Sequence, residues 1–402
     1  MELEFYYQPR LLRKIKNKAM QIDFKELFSF MERYGMVEWY YYLGNKGIKE
    51  IEDDVKSFDM NIDYIVCLGT GGSYQGIEVL IQFSEMKDRF LFIGPSLDPW
   101  EINEIKRKLD GKKVGFNIIS KSGSTMETIF FINIFHDIIS KAKWISVISS
   151  NKNFYESIKE EFSSVKNIKF FEISKNIGGR FSIVSNMGVV TGFMAKVDYS
   201  RFLDGFLDAR KELEHEDNLS PIERGLARYY LFNSDILLEN LATNKKKIIP
   251  TLKWCKQLLA ESNGKEYKSM FVSVGFYPED AHSVGQIWKE GPRNVTETFF
   301  ILENDDSEDI ILENKSTKFL TPREKSLSKI NQSFIEAIIE DRFESGVPTT
   351  VYKLRAFTPY EWGRLIFTEM VAVVVEAYFL GVNPFNQPGV ESYKKKVEER
   401  IM

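Results

Sequence analysis

Gln257 and Glu261 lie four residues apart in Trp254-Cys-Lys-Gln-Leu-Leu-Ala-Glu-Ser-Asn-Gly-Lys265. That spacing puts an amide and a carboxylate on one face of a helix. The run closes with Ser262, Asn263 and Gly264, residues that favour helix ends and turns. A carboxylate at such an end, beside a turn that faces a cleft, suits a general base. The plainer reading is a solvated surface acid, and these twelve residues do not separate the two.

Three glycine- or hydroxyl-rich stretches supply possible partners for that base. Ser120-Lys-Ser-Gly-Ser-Thr125 ends an apolar run and enters a helix. Ser120, Ser122 and Thr125, with the backbone N–H groups of a helix start, can hold a phosphate monoester without a metal. A helix cap would need a single hydroxyl. Four in six residues favour phosphate, carried by a sugar rather than by a nucleoside triphosphate. Gly69-Thr-Gly-Gly-Ser73 invites two nucleotide motifs and satisfies neither. A dinucleotide fingerprint needs a glycine where Tyr74 stands and an acid where Gly94-Pro95 stands; a P-loop needs lysine where Ile77 stands. What remains is close backbone approach at Gly71 and Gly72 with Ser73 opening a helix, either a ligand loop or a structural turn.

Gly178-Gly-Arg180-Phe-Ser182 places a guanidinium after two glycines that permit an unusual backbone. Arg180 either stabilises an anion developing in a substrate or forms an ordinary ion pair between domains. In Asp280-Ala-His282-Ser-Val-Gly-Gln286, His282 opens a helix after a turn at Tyr277-Pro278, a setting that suits proton transfer near neutral pH. A lone histidine also serves structural roles. Lys394, read by itself, is one lysine in a charged run.

The elements that must carry these residues read as α/β. Short apolar runs at 63–68, 90–93, 114–119, 144–148 and 168–173 alternate with helical patterns, which argues for a parallel sheet covered on both faces. In such sheets ligands bind where strands end and helices begin. The expected organisation is a helical segment at 1–59 with a turn at Gly44–Gly47, then an α/β domain at 60–195. A second α/β domain follows at 196–380, and a C-terminal segment at 381–402. Within the second domain, 200–245 reads as amphipathic helix, with strands at 247–252, 270–274, 297–302 and 349–354. Helices are expected at about 322–343 and at 359–380. No residue-level repeat joins the two halves.

The 402 residues suffice for two domains with full cores. With 54 basic and 58 acidic residues the net charge is −4, which offers no field for nucleic acid or an anionic membrane. The N-terminus lacks a basic segment followed by an apolar one, and no apolar run is long enough to span a bilayer. Cys67 and Cys255 are the only cysteines, and the three histidines are not spaced as paired metal ligands. The expectation is a cytoplasmic protein with neither a metal nor a redox cofactor.

Taken in order, the motifs at 69–73, 120–125, 178–182, 257–265 and 280–286, with Asn383-Pro-Phe-Asn-Gln-Pro-Gly-Val-Glu-Ser-Tyr-Lys394, resemble the phosphoglucose isomerase family in its compact bacterial form. The resemblance runs over about 60–394. It implies two sugar-isomerase-type (SIS) domains, each a mainly parallel sheet between helices, with a C-terminal helical arm. It also implies a homodimer and reversible conversion of glucose 6-phosphate and fructose 6-phosphate through a cis-enediolate. By resemblance, Ser120, Lys121, Ser122 and Thr125 hold the phosphate, while Gly72, Ser73, Gln257 and Gln387 line the sugar. Glu261 moves the proton between C2 and C1, and Arg180 stabilises the enediolate. His282, supplied by the partner subunit, and Lys394 assist ring opening. Asn386 stands where the family pattern has aspartate, and Tyr393 where it has a small residue, which bears on where Lys394 points. The alternatives are a non-catalytic phosphosugar-binding protein of the same fold, or an isomerase that also accepts mannose 6-phosphate.

Overall fold

The computed structural model describes residues 1–41, 47–313 and 322–401. The turn expected at 44–47 lies outside the described residues except for Gly47. The strands, in chain order, are β1 (Glu2–Tyr6), β2 (Tyr64–Leu68), β3 (Phe90–Ile93), β4 (Val114–Ile119), β5 (Trp144–Ser149), β6 (Ile168–Glu172), β7 (Leu238–Thr243), β8 (Phe271–Phe276), β9 (Val295–Asn304) and β10 (Thr349–Ala356). They form two five-stranded sheets, ordered β3-β2-β4-β5-β6 and β1-β10-β9-β7-β8. The chain divides into two compact units, one of residues 28–204 and one of residues 1–27 with 205–402.

In the 28–204 unit every strand pairing is parallel. All residues of β4 and β5 are buried, as a sheet covered on both faces requires. Val66, Phe116, Ile118, Ile145 and Val147 pack with Phe131, Phe135, Ile139 and Phe162 of the helices, each at most 1% exposed. The helix from Lys152 to Glu161 starts at Asn151, whose side chain accepts from the N–H groups of Asn153 and Phe154. Asn151 thereby fixes the path of the chain leaving β5.

The other unit has a parallel core of β10, β9, β7 and β8, closed on one side by β1, which runs antiparallel to β10. The helix Pro359–Leu380 follows the expected bounds: Thr358 caps it by accepting from the Glu361 N–H, Pro359 opens it, and Gly381 closes it in the left-handed region. It is buried along nearly its whole length and carries two carboxylates, Glu369 and Glu376, that are 0% exposed. Each has a guanidinium partner from the helix Ser220–Phe232: Arg224 Nε donates to Glu369 at 3.1 Å and Arg228 Nε to Glu376 at 2.6 Å. Both arginines also reach Glu239 of β7. Removing one partner from such a set typically costs about 3–5 kcal/mol, because it leaves a buried charge uncompensated.

Three expectations are corrected. The 247–252 run is not a strand: it forms a short turn, Lys246–Ile248, and the first residues of the helix Ile249–Asn263. Pro250 sits in the opening turn of that helix, where its missing N–H costs nothing. The 200–245 stretch is not helical throughout, since β7 occupies Leu238–Thr243. The first 59 residues are not purely helical either, because β1 adds the antiparallel edge. Among the described residues, no helix is long and apolar enough to cross a membrane.

Candidate active-site residues

The 28–204 unit assembles its candidate residues at the carboxyl ends of β2 and β4. Gly71 takes φ +52° and ψ −124°, a backbone open to glycine, and turns β2 into the helix Gly72–Ile81. Gly72 rests directly on the Gly179–Arg180 peptide: a Cβ built on it would lie 2.6 Å from the Arg180 nitrogen. The first loop and Arg180 are therefore held backbone to backbone, with Ser73 next in the chain. The glycines at 178 and 179 do not adopt a positive φ, contrary to the unusual backbone expected there. Gly72 supplies the close approach. Arg180 itself is 2% exposed, its guanidinium 5.7 Å from the Phe181 ring.

The Ser120–Thr125 loop follows β4. Ser120 is buried, donates to the Thr125 hydroxyl at 3.3 Å and accepts from the Gly123 N–H at 3.1 Å. Gly123 is left-handed, φ +72°, and a Cβ there would stand 2.5 Å from Phe154 Cβ. The helix Met126–Ile134 begins after Thr125 with no side-chain cap. The capping alternative for this loop is thus not what its hydroxyls do. Among the described residues, the N–H groups of Lys121, Ser122 and Thr125 donate to no protein acceptor. Uncapped N–H groups at a helix start attract an anion. Lys121 Nζ donates to the Ile177 carbonyl at 2.9 Å, which turns its ammonium towards the arginine segment. Burial first, and the Arg180 charge second, hold its pKa below the usual lysine value.

The other unit carries the candidate base. On the helix Ile249–Asn263, Gln257 Nε2 donates to Glu261 Oε2 at 2.8 Å, the contact the four-residue spacing implies. Glu261 is half-buried, not a fully solvated acid. Two residues on, the Asn263 side-chain amide donates to the Val373 carbonyl at 3.0 Å and to Glu376 at 2.8 Å. The helix end that bears Glu261 is thereby tied to the buried ion network.

His282 and Lys394 are placed differently. His282 does not open a helix; it ends a turn at Glu279–Ala281, and the next helix begins at Gly285. Asp280 ties that turn down, accepting from the Phe276 N–H at 2.7 Å and from Ser283 at 3.0 Å. His282 is exposed. Lys394 sits on the exposed helix Glu391–Ile401, 3.4 Å from Glu391. Among the described residues, no hydrogen bond or ion pair joins either one to Gln257 or Glu261. Gln387 is half-buried just before the turn Pro388–Val390.

The profile of the phosphoglucose isomerase family matches residues 49–402. The chain belongs to the phosphoglucose isomerase family. Glucose-6-phosphate isomerase of Mycoplasma capricolum is 30% identical over 363 residues, covering 86% of this chain and 84% of that protein. That of Clostridium perfringens is 28% identical over 372 residues, covering 86% and 82%. Among solved structures, a hypothetical protein of Thermus thermophilus superimposes with a TM-score of 0.83 over all of both chains at 23% identity. A glucose-6-phosphate isomerase of Chlamydia trachomatis gives 0.72 over 89% of this chain and 73% of that one at 17% identity. Both likenesses bear on the fold, which is of the sugar-isomerase type, two five-stranded, mainly parallel sheets flanked by helices. Membership in the phosphoglucose isomerase family supports phosphosugar isomerisation as the kind of chemistry.

The motifs missed one set of contacts to the candidate loop. Ser149, Ser150 and Asn151 all bond to carbonyls of the Ser120–Thr125 loop. Their signal was present as three small polar residues leaving β5 before a helix, but it reads as an ordinary cap.

Proposed function

We propose that the protein interconverts glucose 6-phosphate and fructose 6-phosphate through a cis-enediolate. The observation that carries this reading is the Gln257–Glu261 pair, a half-buried carboxylate oriented by an amide 2.8 Å away on a rigid, anchored helix. In the forward direction His282 and Lys394 assist proton transfer to the ring oxygen and from the O1 hydroxyl, opening the sugar. Glu261 then takes the proton from C2, electrons move into the C1–C2 bond, and Arg180 stabilises the oxyanion. Moving the hydroxyl proton from O2 to O1 and returning the carbon proton from Glu261 to C1 completes the ketose. Ser120, Lys121, Ser122 and Thr125 hold the phosphate, and Gly72, Ser73, Gln257 and Gln387 position the sugar. Binding energy gathered at the remote phosphate places C1 and C2 for the transfer. The reaction is carried by side chains, with no cofactor in any step.

The protein acts as a homodimer in which His282 serves the partner's site. Two features support this: His282 is exposed, and Val284 and Ile287 beside it are 40% and 57% exposed. Its place is the cytoplasm, in glycolysis and gluconeogenesis. A reducing compartment suits Cys67, which is buried, its thiol pushed up to about 12 by that burial. The test is to incubate the purified protein with fructose 6-phosphate and identify the products by NMR. Glucose 6-phosphate alone is expected. Mannose 6-phosphate in addition would widen the specificity, and no product at all would leave a binding protein.

A further inference from the structure

Lys121 and Ser122 bond to the protein through their backbone carbonyls and not through their backbone N–H groups, among the described residues. The Lys121 carbonyl accepts from Ser150 Oγ at 2.7 Å, from the Ser150 N–H at 3.0 Å and from Ser149 Oγ at 3.2 Å. The Ser122 carbonyl accepts from Asn151 Nδ2 at 2.8 Å. In a trans peptide the C=O and N–H lie in one plane and point in opposite directions. Fixing the Lys121 carbonyl on the exit of β5 therefore aims the Ser122 N–H away from it. Fixing the Ser122 carbonyl turns the Gly123 N–H away from Asn151 and onto Ser120 Oγ, which receives it at 3.1 Å.

Asn151 has two tasks that separate cleanly. Its Oδ1 caps the helix Lys152–Glu161, and its Nδ2 holds the Ser122 carbonyl. A helix cap needs only the oxygen. The second bond has no role in the helix, and it ends on the loop read as the phosphate site.

We propose that Ser150 and Asn151 are positioning residues for phosphate binding: they touch no phosphate themselves, but orient the Ser120–Thr125 backbone so that its donors face one. This rests on the phosphate reading of that loop. An unoriented loop would have to spend binding energy on ordering itself.

Asn151→Ser tests it, because serine keeps the cap and is too short to hold the Ser122 carbonyl. Inorganic phosphate binding is measured by titration calorimetry, alongside Tm, kcat and KM. The dissociation constant for phosphate is expected to rise about three- to tenfold, the usual weight of one hydrogen bond. KM should rise by the same factor, with the loss falling on KM rather than kcat, and Tm should stay within about 2 °C of wild type. Ser150→Ala, which leaves two donors on the Lys121 carbonyl, should shift affinity in the same direction by less. Unchanged phosphate affinity in Asn151→Ser, or affinity lost only in step with Tm, would overturn the proposal. Wild-type protein that binds no phosphate would instead overturn the anion reading of the loop beneath it.

Discussion

Lys121 shows how a residue's surroundings set its usefulness. Burial and the Arg180 charge both disfavour its ammonium, so in the free protein the charge is lost at a lower pH than the ordinary lysine value of 10.5. A phosphate dianion favours the charged form, so its affinity falls as pH rises through that depressed window. From about pH 8 upward, where the ligand is already a dianion, the dissociation constant of phosphate should climb before pH 10.5. In Lys121→Arg, whose guanidinium stays charged, that climb should vanish. Calorimetry across the range checks it, and superimposable curves for the two proteins would contradict it. At this scale the sequence was legible where spacing alone decides. Four residues of helix bring Gln257 to Glu261. It was silent on the Asn263 anchor, whose partners Val373 and Glu376 lie more than a hundred residues further along the chain.

At the scale of elements, the contact between the Gly72 helix start and the Gly179–Arg180 turn has no room for a methyl group. Gly72→Ala would push that backbone apart and move Arg180 with it. The expected result is a loss of about 1–3 kcal/mol in denaturant unfolding, accompanied by a fall in kcat. Wild-type stability and activity together would show the contact to be slack. The parallel sheet of the 28–204 unit was legible because its strands are continuous apolar runs. β7 was not, because Leu238-Glu-Asn-Leu-Ala-Thr243 buries Glu239 and Asn240. Those side chains are satisfied by Arg224, Arg228, Thr298 and Glu297, partners that no local pattern announces. The neighbouring Ile248 and Ile249 look strand-like, yet Pro250 starts a helix there. β1 was missed for a similar reason: its partner β10 is at the far end of the chain.

At the scale of the molecule, the proposed mechanism makes the dimer the working unit, with Glu261 and His282 of each site on different subunits. Glu261→Gln and His282→Ala should each be nearly inactive. Mixed, dissociated and reassembled, they should recover up to about a quarter of wild-type activity, since half the dimers are mixed and each has one intact site. No recovery would place both residues in one chain's site. The central claim remains the proton carried by Glu261. It is tested most directly by incubating wild-type and Glu261→Gln protein with fructose 6-phosphate in D2O and following deuterium at C2 of glucose 6-phosphate by NMR. Wild type should label C2, and Glu261→Gln should slow that labelling about 10²–10⁴-fold while still binding phosphate. Near-normal labelling in Glu261→Gln would contradict the account.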